Sequence, residues 1–339
     1  MSTQRTFGAV SGRPLFVGGC ARSGTTLLRT MLNNHPDLGM PHETKFVISA
    51  WRQRDTFGDL RRAENREAVA RWILDEPKSK FVRLGIEPDD LVADFAAAPP
   101  TLGSLLATCF MRYAEQTGKT RWGDKRPSYS LNLEAMFRMF PDAQFVHVVR
   151  DPRACAVSMR KAWADWGRVA SAAEVWERTD REVQAASRRL RPDQFMQIRY
   201  EDLVATPEEV LDRICGFAGL ATGRAAEMLD YHRTDPTSLP GGWLYERAAQ
   251  PLDGRSVARW TTELDEKEVA FLERVLHERL VVHGYDLTAG GAPVPEDLVS
   301  DYRQVRNERN RVELRRRLVE MKRRVTYRRP TAMRLVSAR

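Results

Sequence analysis

The chain has 339 residues, of which 42% are hydrophobic and 29% charged, and its formal net charge is +8. This composition excludes a chain that is disordered throughout. From Asp301 to Arg339 there are 14 basic and 4 acidic residues, which leaves 40 basic and 42 acidic residues in 1–300. The positive charge therefore indicates an anionic partner only for the tail, and no nucleic-acid partner is expected for the body.

The sequence also restricts the cellular compartment and the domain organisation. It contains no apolar run near the ~20 residues that span a bilayer, and its N-terminal segment does not resemble a signal peptide. The four cysteines are far apart and form no C-x-x-C pair, so neither a metal site nor a disulfide framework is indicated. We expect a cytoplasmic protein with one domain over 1–290, followed by a linker and basic helical tail over 291–339.

The spacing of apolar residues predicts a strand at 14–19, a glycine-containing turn and a helix at 25–32, which together open a βα unit. Further strands are expected at 144–149 and 195–200. Further helices are expected at about 51–98, 102–115, 131–140, 207–218, 264–283 and 301–327. The segment 234–254 is rich in glycine and proline without periodicity, which is typical of a lid or binding loop.

The turn after the first strand has the G-x-x-x-x-G spacing of a phosphate-binding loop, from Gly19 to Gly24. Backbone N–H groups in such a loop, with the N-terminus of the following helix, bind oxyanions. The next residue is Thr25, where nucleoside triphosphatases have a lysine, which argues against ATP or GTP hydrolysis. A phosphate that is not part of a triphosphate chain could instead be held by Arg22 and by the hydroxyl groups of Ser23, Thr25 and Thr26. A glycine-rich turn without a ligand is the alternative.

A second polar segment follows the strand at 144–149, where Arg150 stands at the strand's end and Ser158 lies eight residues on in a helix. Ligands of open parallel sheets bind at the carboxyl ends of strands. The alternative is that Arg150 only forms an ion pair with Asp151. Two such loops in one chain favour a ligand site.

These two segments resemble those of the sulfotransferases that use 3′-phosphoadenosine 5′-phosphosulfate (PAPS). GGCARSGTTLL at 18–28 is similar to the loop for the 5′-phosphosulfate, and VRDPRACAVSM at 149–159 to the site for the 3′-phosphate. The resemblance covers roughly 14–286 and is strongest to the tyrosylprotein-type branch. That branch is matched by HP at 35–36, HET at 42–44, GDKRP at 123–127, RYEDL at 199–203 and RW at 259–260.

The resemblance implies an α/β fold with a P-loop-like central parallel sheet flanked by helices. It further implies PAPS as co-substrate, adenosine 3′,5′-bisphosphate as product, and no required metal. In chemical terms, Glu43 would be the general base, while Arg22 and Lys125 would neutralise the sulfuryl oxygens and the leaving phosphate. Partial burial is expected to raise the pKa of Glu43 towards a useful range.

The remaining roles that the resemblance implies concern the nucleotide. Arg150, Ser158 and Arg259 would hold the 3′-phosphate, and Tyr200 would lie against the nucleotide. For three of these residues a purely structural role is the alternative. Glu43 could be a surface carboxylate paired with Lys45, Lys125 could belong to a solvated charge cluster, and Tyr200 could be a core residue.

The sequence departs from the tyrosylprotein-type branch at two points. No membrane anchor is expected from the sequence, so the acceptor need not be a peptide of the secretory pathway. The chain also has Ala248 after Glu246-Arg247, where the branch has a functional serine. Trp163 and Trp166 could line an acceptor pocket or belong to the core, and His147 is expected to pack within the sheet.

In the tail, Leu314, Leu318, Met321 and Val325 recur at helical spacing among arginines, which predicts a basic amphipathic helix. It could contact its own domain or a second subunit in a homo-oligomer, lie peripherally on an anionic membrane, or bind an acidic carrier. A solvated helix without a partner is the alternative.

The leading functional hypothesis is a PAPS-dependent sulfotransferase that acts on a hydroxyl of a small molecule, glycan, lipid or peptide tyrosine. A P-loop phosphotransferase such as a nucleotide kinase is the second hypothesis. A non-catalytic nucleotide-binding protein is the third.

Overall fold

The computed structural model describes residues 10, 13–163, 168–233, 250–326, 332 and 335. Five parallel strands form a sheet in the order β2-β3-β1-β4-β5. They are β1 (Leu15–Gly19), β2 (Leu38–Gly39), β3 (Arg121–Lys125), β4 (Gln144–Val149) and β5 (Phe195–Arg199). The expected α/β fold with a central parallel sheet is confirmed.

Helices surround this sheet and occupy most of the rest of the described chain. Before β4 they are α1 (Thr25–Asn33), α2 (Phe46–Gln53), α3 (Ala63–Asp75), α4 (Pro88–Ala97), α5 (Leu102–Gln116) and α6 (Leu133–Met139). After β4 they are α7 (Pro152–Ala162), α8 (Val169–Ser187), α9 (Tyr200–Ala205), α10 (Pro207–Ala218), α11 (Ala225–Leu229), α12 (Trp260–Glu263), α13 (Glu266–Val275), α14 (His277–Val282) and α15 (Glu296–Thr326).

The two faces of the sheet are buried by different helices because side chains alternate along a strand. On one face, Phe16 packs edge-on against Trp122 and Tyr129 in a cluster that includes residues of α2 to α6. On the other face, Leu15 and Val17 pack with residues of α1, α10 and α11. Burial on both faces leaves the carboxyl ends of the strands as the place for polar residues.

Strand β3 was not expected from the sequence because RWGDK lacks the apolar run of a buried strand. All five residues are nonetheless buried, and each charged side chain has a partner. The Arg121 guanidinium donates to the carbonyl of Ala218 at 2.7 Å, and Asp124 accepts from Thr44 at 3.1 Å. Gly123 is required because a Cβ there would lie 2.3 Å from the Leu15 carbonyl oxygen.

The expected helices at 51–98 and 264–283 are wrong in their continuity. Three helices, α2 to α4, cover the first region, which is interrupted by Gly58 at φ 71° and by Pro77. In the second region, α13 and α14 are separated at Leu276, whose φ of −113° and ψ of 12° are not helical. The last helix also begins earlier than expected, at Glu296 rather than 301.

A buried ionic network joins α7 to the C-terminal helices. Arg153 binds both carboxylate oxygens of Asp151 and contacts Glu273 at 2.6 Å. Its guanidinium also lies 3.8 Å from the ring centre of Trp260. Only 2% of the Arg153 side chain is exposed, and without it the two carboxylates would be left buried with no cationic partner among the described residues.

We predict that Arg153→Met destabilises the protein by about 3–5 kcal/mol, because it removes one partner of a buried ionic network. Urea-induced unfolding followed by circular dichroism measures this loss. Arg160→Met on the same helix is the matched control: its ion pair with Glu268 is partly exposed, so its removal should cost no more than about 1 kcal/mol. Equal losses in the two variants would contradict the prediction.

Candidate active site

The loop between β1 and α1 has the backbone shape of an anion-binding turn. Arg22 and Gly24 both have positive φ, 69° and 93°. Gly24 has no room for a side chain, because a Cβ there would lie 2.3 Å from Cδ2 of Tyr200. The Ser23 hydroxyl is fully buried and has no hydrogen-bond partner among the described residues. The loop therefore places a buried hydroxyl without a described partner beside the N-terminus of α1, and both features favour binding of an anion.

Arg150 stands at the carboxyl end of β4 and is 7% exposed. Its Nη1 donates to the Arg22 carbonyl at 3.0 Å, its Nη2 donates to the Ser256 carbonyl at 2.6 Å, and its guanidinium lies 4.3 Å from the Tyr200 ring centre. Asp151 is paired with Arg153 instead. The alternative that Arg150 only pairs with Asp151 is therefore wrong.

The two anion-binding segments are joined directly. Arg22 Nε donates to Ser158 Oγ at 3.0 Å, while the Arg22 carbonyl accepts from Arg150. One residue of the phosphate loop thus contacts both polar residues of the second segment, 128 and 136 positions away. The structure brings together in space what the sequence showed as two separate motifs.

Glu43 is held by Lys125. Lys125 ends β3, is 1% exposed, and its Nζ lies 3.0 Å from Glu43 Oε2 and 3.2 Å from Thr26 Oγ1. Lys125 is therefore a buried residue and no member of a solvated cluster. The described partner of the Glu43 carboxylate is Lys125 rather than Lys45, because Glu43 and Lys125 meet across the carboxyl end of the sheet.

The expected upward shift of the Glu43 pKa is wrong. Burial does raise the pKa of Glu43, but the charges of Lys125, Arg126 and Lys80 outweigh burial and lower it below its ordinary value. Burial also lowers the pKa of Lys125, and the ion pair with Glu43 opposes this shift. Glu43 is therefore ionised at neutral pH.

Tyr200 and Arg259 complete the predicted set. The Tyr200 hydroxyl lies 2.6 Å from Ser256 Oγ. Tyr200 belongs to the core cluster that includes residues of α10, and it also lines the cavity. Arg259 Nη2 lies 2.8 Å from Glu263 Oε1, one helical turn further on. Tyr200 is thus both a core residue and a site residue.

A cavity of about 600 Å³ lies over these residues. Nine of the eleven predicted site residues line it: Arg22, Gly24, Thr25, Thr26, Glu43, Arg150, Ser158, Tyr200 and Arg259. The other two, Ser23 and Lys125, are buried below the lining. The structure thus gathers the predicted residues at one place.

Four further cations in the lining were not found from the sequence: Lys45, Lys80, Arg126 and Lys161. Only two carboxylates, Glu43 and Asp253, line the described part of the cavity. Arg126 could have been found, since it follows Lys125 in the GDKRP motif. Lys80 has no sequence signal and reaches the site only through the fold. The excess of cations makes the cavity suited to an anion.

The other aromatic and loop residues considered from the sequence fall in different places. Trp163 lines the cavity and is 38% exposed. His147 is buried, lies 3.0 Å from Ser130 Oγ through Nδ1, and has its pKa lowered to about 4 by burial. Trp166, Ala248 and most of the 234–254 segment lie outside the described residues, although Gln250 to Asp253 line the cavity.

Within the described ranges, no cluster of three or more His, Cys, Asp or Glu side chains is arranged to hold a metal ion. In the same ranges, no helix is both long enough and apolar enough to cross a membrane.

The parallel sheet, with a glycine loop between its first strand and first helix, defines a P-loop-like α/β protein. The chain belongs to the sulfotransferase family, whose model matches residues 14–223, and is thus a transferase enzyme.

It is 27% identical over 306 residues to the nodulation protein NoeE of Sinorhizobium fredii, covering 82% of this chain and 67% of that protein. It is 24% identical to a putative protein-tyrosine sulfotransferase of Caenorhabditis briggsae, with 86% and 96% covered.

One further relative and one solved structure are also similar to this chain. The omega-hydroxy-beta-dihydromenaquinone-9 sulfotransferase Stf3 of Mycobacterium bovis is 24% identical, over 62% of this chain and 64% of its own. The sulfotransferase domain of the Synechococcus PCC 7002 olefin synthase has a TM-score of 0.61 at 23% identity, with 82% of this chain and 97% of that chain covered. The structural likeness supports the fold.

We predict that Lys125→Met raises the pKa of Glu43, because burial then acts on the carboxylate without its nearest cation. A titration followed by NMR of the Glu43 side-chain carboxyl carbon measures this change in the ligand-free protein. In the wild type the lowered pKa means that the pair stabilises the fold above the ordinary glutamate pKa and loses that contribution as the pH falls.

Lys45→Met is the matched control, since Lys45 lines the same cavity but is not the partner of the Glu43 carboxylate. Its effect on the Glu43 pKa should be small. An unmoved pKa in Lys125→Met, or equal shifts in both variants, would contradict the ion pair.

Proposed function

We propose that this protein transfers the sulfuryl group of PAPS to a hydroxyl group of an acceptor and releases adenosine 3′,5′-bisphosphate. The proposal rests chiefly on the burial of Arg150 and on the groups that surround its guanidinium. This cavity-lining guanidinium is almost fully buried, yet its described partners are carbonyl groups and an aromatic ring, with no carboxylate among them. Its Nε has no partner among the described residues. A buried cation in that state calls for an anion, here the 3′-phosphate.

The other end of the cavity fits the 5′-phosphosulfate. The buried Ser23 hydroxyl lacks a described partner, the loop backbone has the left-handed turns of an anion-binding loop, and Lys125 lies beneath Thr26. Thr25 stands where a triphosphatase needs lysine, so the loop suits a phosphosulfate better than a triphosphate. Arg22 connects the two ends, and Arg259 and Tyr200 complete the nucleotide side.

The bound donor supplies the sulfuryl group, whose bond to the phosphate oxygen breaks as the acceptor oxygen bonds to sulfur. Glu43 takes the acceptor proton on Oε2. Lys125, which neutralises Glu43 in the ligand-free protein, turns towards the sulfuryl oxygens and the leaving phosphate. Because burial raises the pKa of Glu43 once that pairing weakens, the carboxylate becomes a better base at the moment when it is needed.

A hydroxyl acceptor is supported by two relatives, one named for protein tyrosine and one for an omega-hydroxy menaquinone. The acceptor hydroxyl that we propose belongs to a small molecule, glycan, lipid or peptide tyrosine. We further propose a reducing, cytoplasmic location, which is supported by the four cysteines being buried and unpaired.

We predict that the wild type binds adenosine 3′,5′-bisphosphate about 10- to 150-fold more tightly than adenosine 5′-monophosphate, because the 3′-phosphate gains charge-assisted hydrogen bonds. In Arg150→Met this ratio should fall by about tenfold or more. Isothermal titration calorimetry measures both affinities, and their ratio is insensitive to a general loss of binding. Arg255→Met is the control, since Arg255 is exposed and pairs with Asp253.

The same calorimetry distinguishes the second hypothesis. Tight binding of ATP with magnesium, together with no binding of the bisphosphate, would overturn the proposal and favour a phosphotransferase.

We predict that Glu43→Gln lowers turnover by about 10²- to 10⁴-fold, because the acceptor proton loses its base. Its affinity for the bisphosphate should stay within about threefold, since the carboxylate contributes no donor to the phosphates. Transfer of label from [³⁵S]PAPS to an acceptor found by screening cell extracts measures turnover.

Asp253→Asn alters the other carboxylate of the described lining and is the matched control, which should keep most of the activity. Unchanged turnover in Glu43→Gln would remove Glu43 as the base. Bisphosphate binding without transfer to any extract would favour a non-catalytic binding protein.

A further inference from the structure

The last helix, α15, changes its surroundings along its length. Near its start Val299, Tyr302 and Val305 are buried, and the first two belong to the cluster formed with α7, α8 and α13. Further along, four apolar residues that share one face of the helix are 52–80% exposed. They are Leu314, Leu318, Met321 and Val325, here called the apolar stripe. The apolar stripe is therefore not part of the hydrophobic core, unlike the buried residues near the start of the helix.

The stripe faces away from the domain. Glu320 forms an ion pair with Arg54, and Arg323 Nη1 donates to the Arg52 carbonyl at 2.8 Å, so these contacts define the inner side of the helix. At about 100° per residue, the mean direction of the stripe lies roughly 160° from that of Glu320 and Arg323. This later part of the helix is thus attached by polar contacts and presents the apolar stripe outwards.

Exposed cations flank the stripe. Arg311, Arg315 and Lys322 project along one side of it and Arg317 along the other, and all four are exposed. Residues 301–326 contain 10 basic and 4 acidic residues. Long basic side chains beside an apolar stripe are typical of helices that lie in the interface of an anionic bilayer.

The exposed part of α15 also runs close to the candidate active site. The Arg52 side chain lies within electrostatic range of Arg316 on α15 and of Arg126, which lines the cavity beside Glu43. The inner side of this part of α15 therefore lies near the Glu43 side of the cavity.

We propose that α15 binds an anionic membrane surface, inserting the apolar stripe between lipid headgroups while its flanking cations contact their phosphates. Charge favours lipid over a second copy of this chain. Two such helices packed through their stripes would bring two strongly positive surfaces together, whereas anionic lipids neutralise them. The proposal does not depend on the donor, the base or the acceptor.

The test is sedimentation of the full chain with vesicles of phosphatidylcholine, alone or mixed with phosphatidylglycerol. We expect binding to the mixed vesicles, at least about tenfold weaker binding to the neutral ones, and weakening with salt. The double variant Leu318→Asp/Met321→Asp should bind at least about a hundredfold more weakly, because two apolar side chains are lost from the interface. Val282→Asp, at a 75% exposed valine on α14, should bind as the wild type does.

A second variant tests the cations while keeping the stripe. Arg311→Gln/Arg315→Gln/Lys322→Gln should bind the mixed vesicles about a hundredfold more weakly, since each cation near an anionic surface contributes about fivefold. Its binding should also depend less on salt. All three residues are exposed, so the thermal unfolding temperature and the affinity for adenosine 3′,5′-bisphosphate should stay the same.

Two results would overturn the proposal: equal sedimentation of the wild type and the stripe variant, or equal binding to neutral and anionic vesicles. The proposal would also be overturned if the wild type did not bind vesicles and was a dimer by size-exclusion chromatography with light scattering, while the stripe variant was a monomer. That result would make the stripe a contact between copies of this chain. Bisphosphate calorimetry on the same samples separates any of these failures from a failure of the proposed sulfotransferase function.

Discussion

The site depends on one buried guanidinium. Arg150 binds the carbonyl groups of Arg22 and Ser256 and lies over the ring of Tyr200, so it links four segments that are distant in the sequence. Carbonyl groups satisfy its hydrogen bonds without neutralising its charge. The same side chain therefore organises the loops and keeps a positive charge available at the cavity, which a carboxylate partner would have cancelled.

The buried cations Arg153 and Lys125 have different surroundings. Arg153 is fully paired with Asp151 and Glu273 and joins helices, whereas Lys125 has one carboxylate partner, Glu43, at the edge of the cavity. An ion pair at a cavity can exchange its partner for a ligand, while a pair within the packing between helices cannot do so without disrupting that packing. Position relative to the cavity, rather than residue type, separates structural from functional charges here.

Much of the site could be predicted because two of its segments are continuous in the sequence. The spacing from Gly19 to Gly24 predicts the phosphate-binding loop, and the position of Arg150 directly after an apolar strand predicts a ligand-binding residue. Strand β3 was missed because its charged residues are satisfied by partners far along the chain. The lowered pKa of Glu43 has a similar cause: burial was foreseeable from the sequence, but the ion pair with Lys125, 82 residues away, was not.

The sequence by itself determined the strand, loop and helix order at the two anion-binding segments, the phosphate loop and its missing lysine, and the confinement of the net positive charge to the tail. These are local properties, set by spacing, chirality and composition. Only the tertiary structure decided that Arg22 meets Ser158, that Lys80 and Arg126 reach the cavity, and that the apolar stripe of α15 faces outwards. Those outcomes depend on which distant surfaces pack together, and residue spacing along the chain does not specify that.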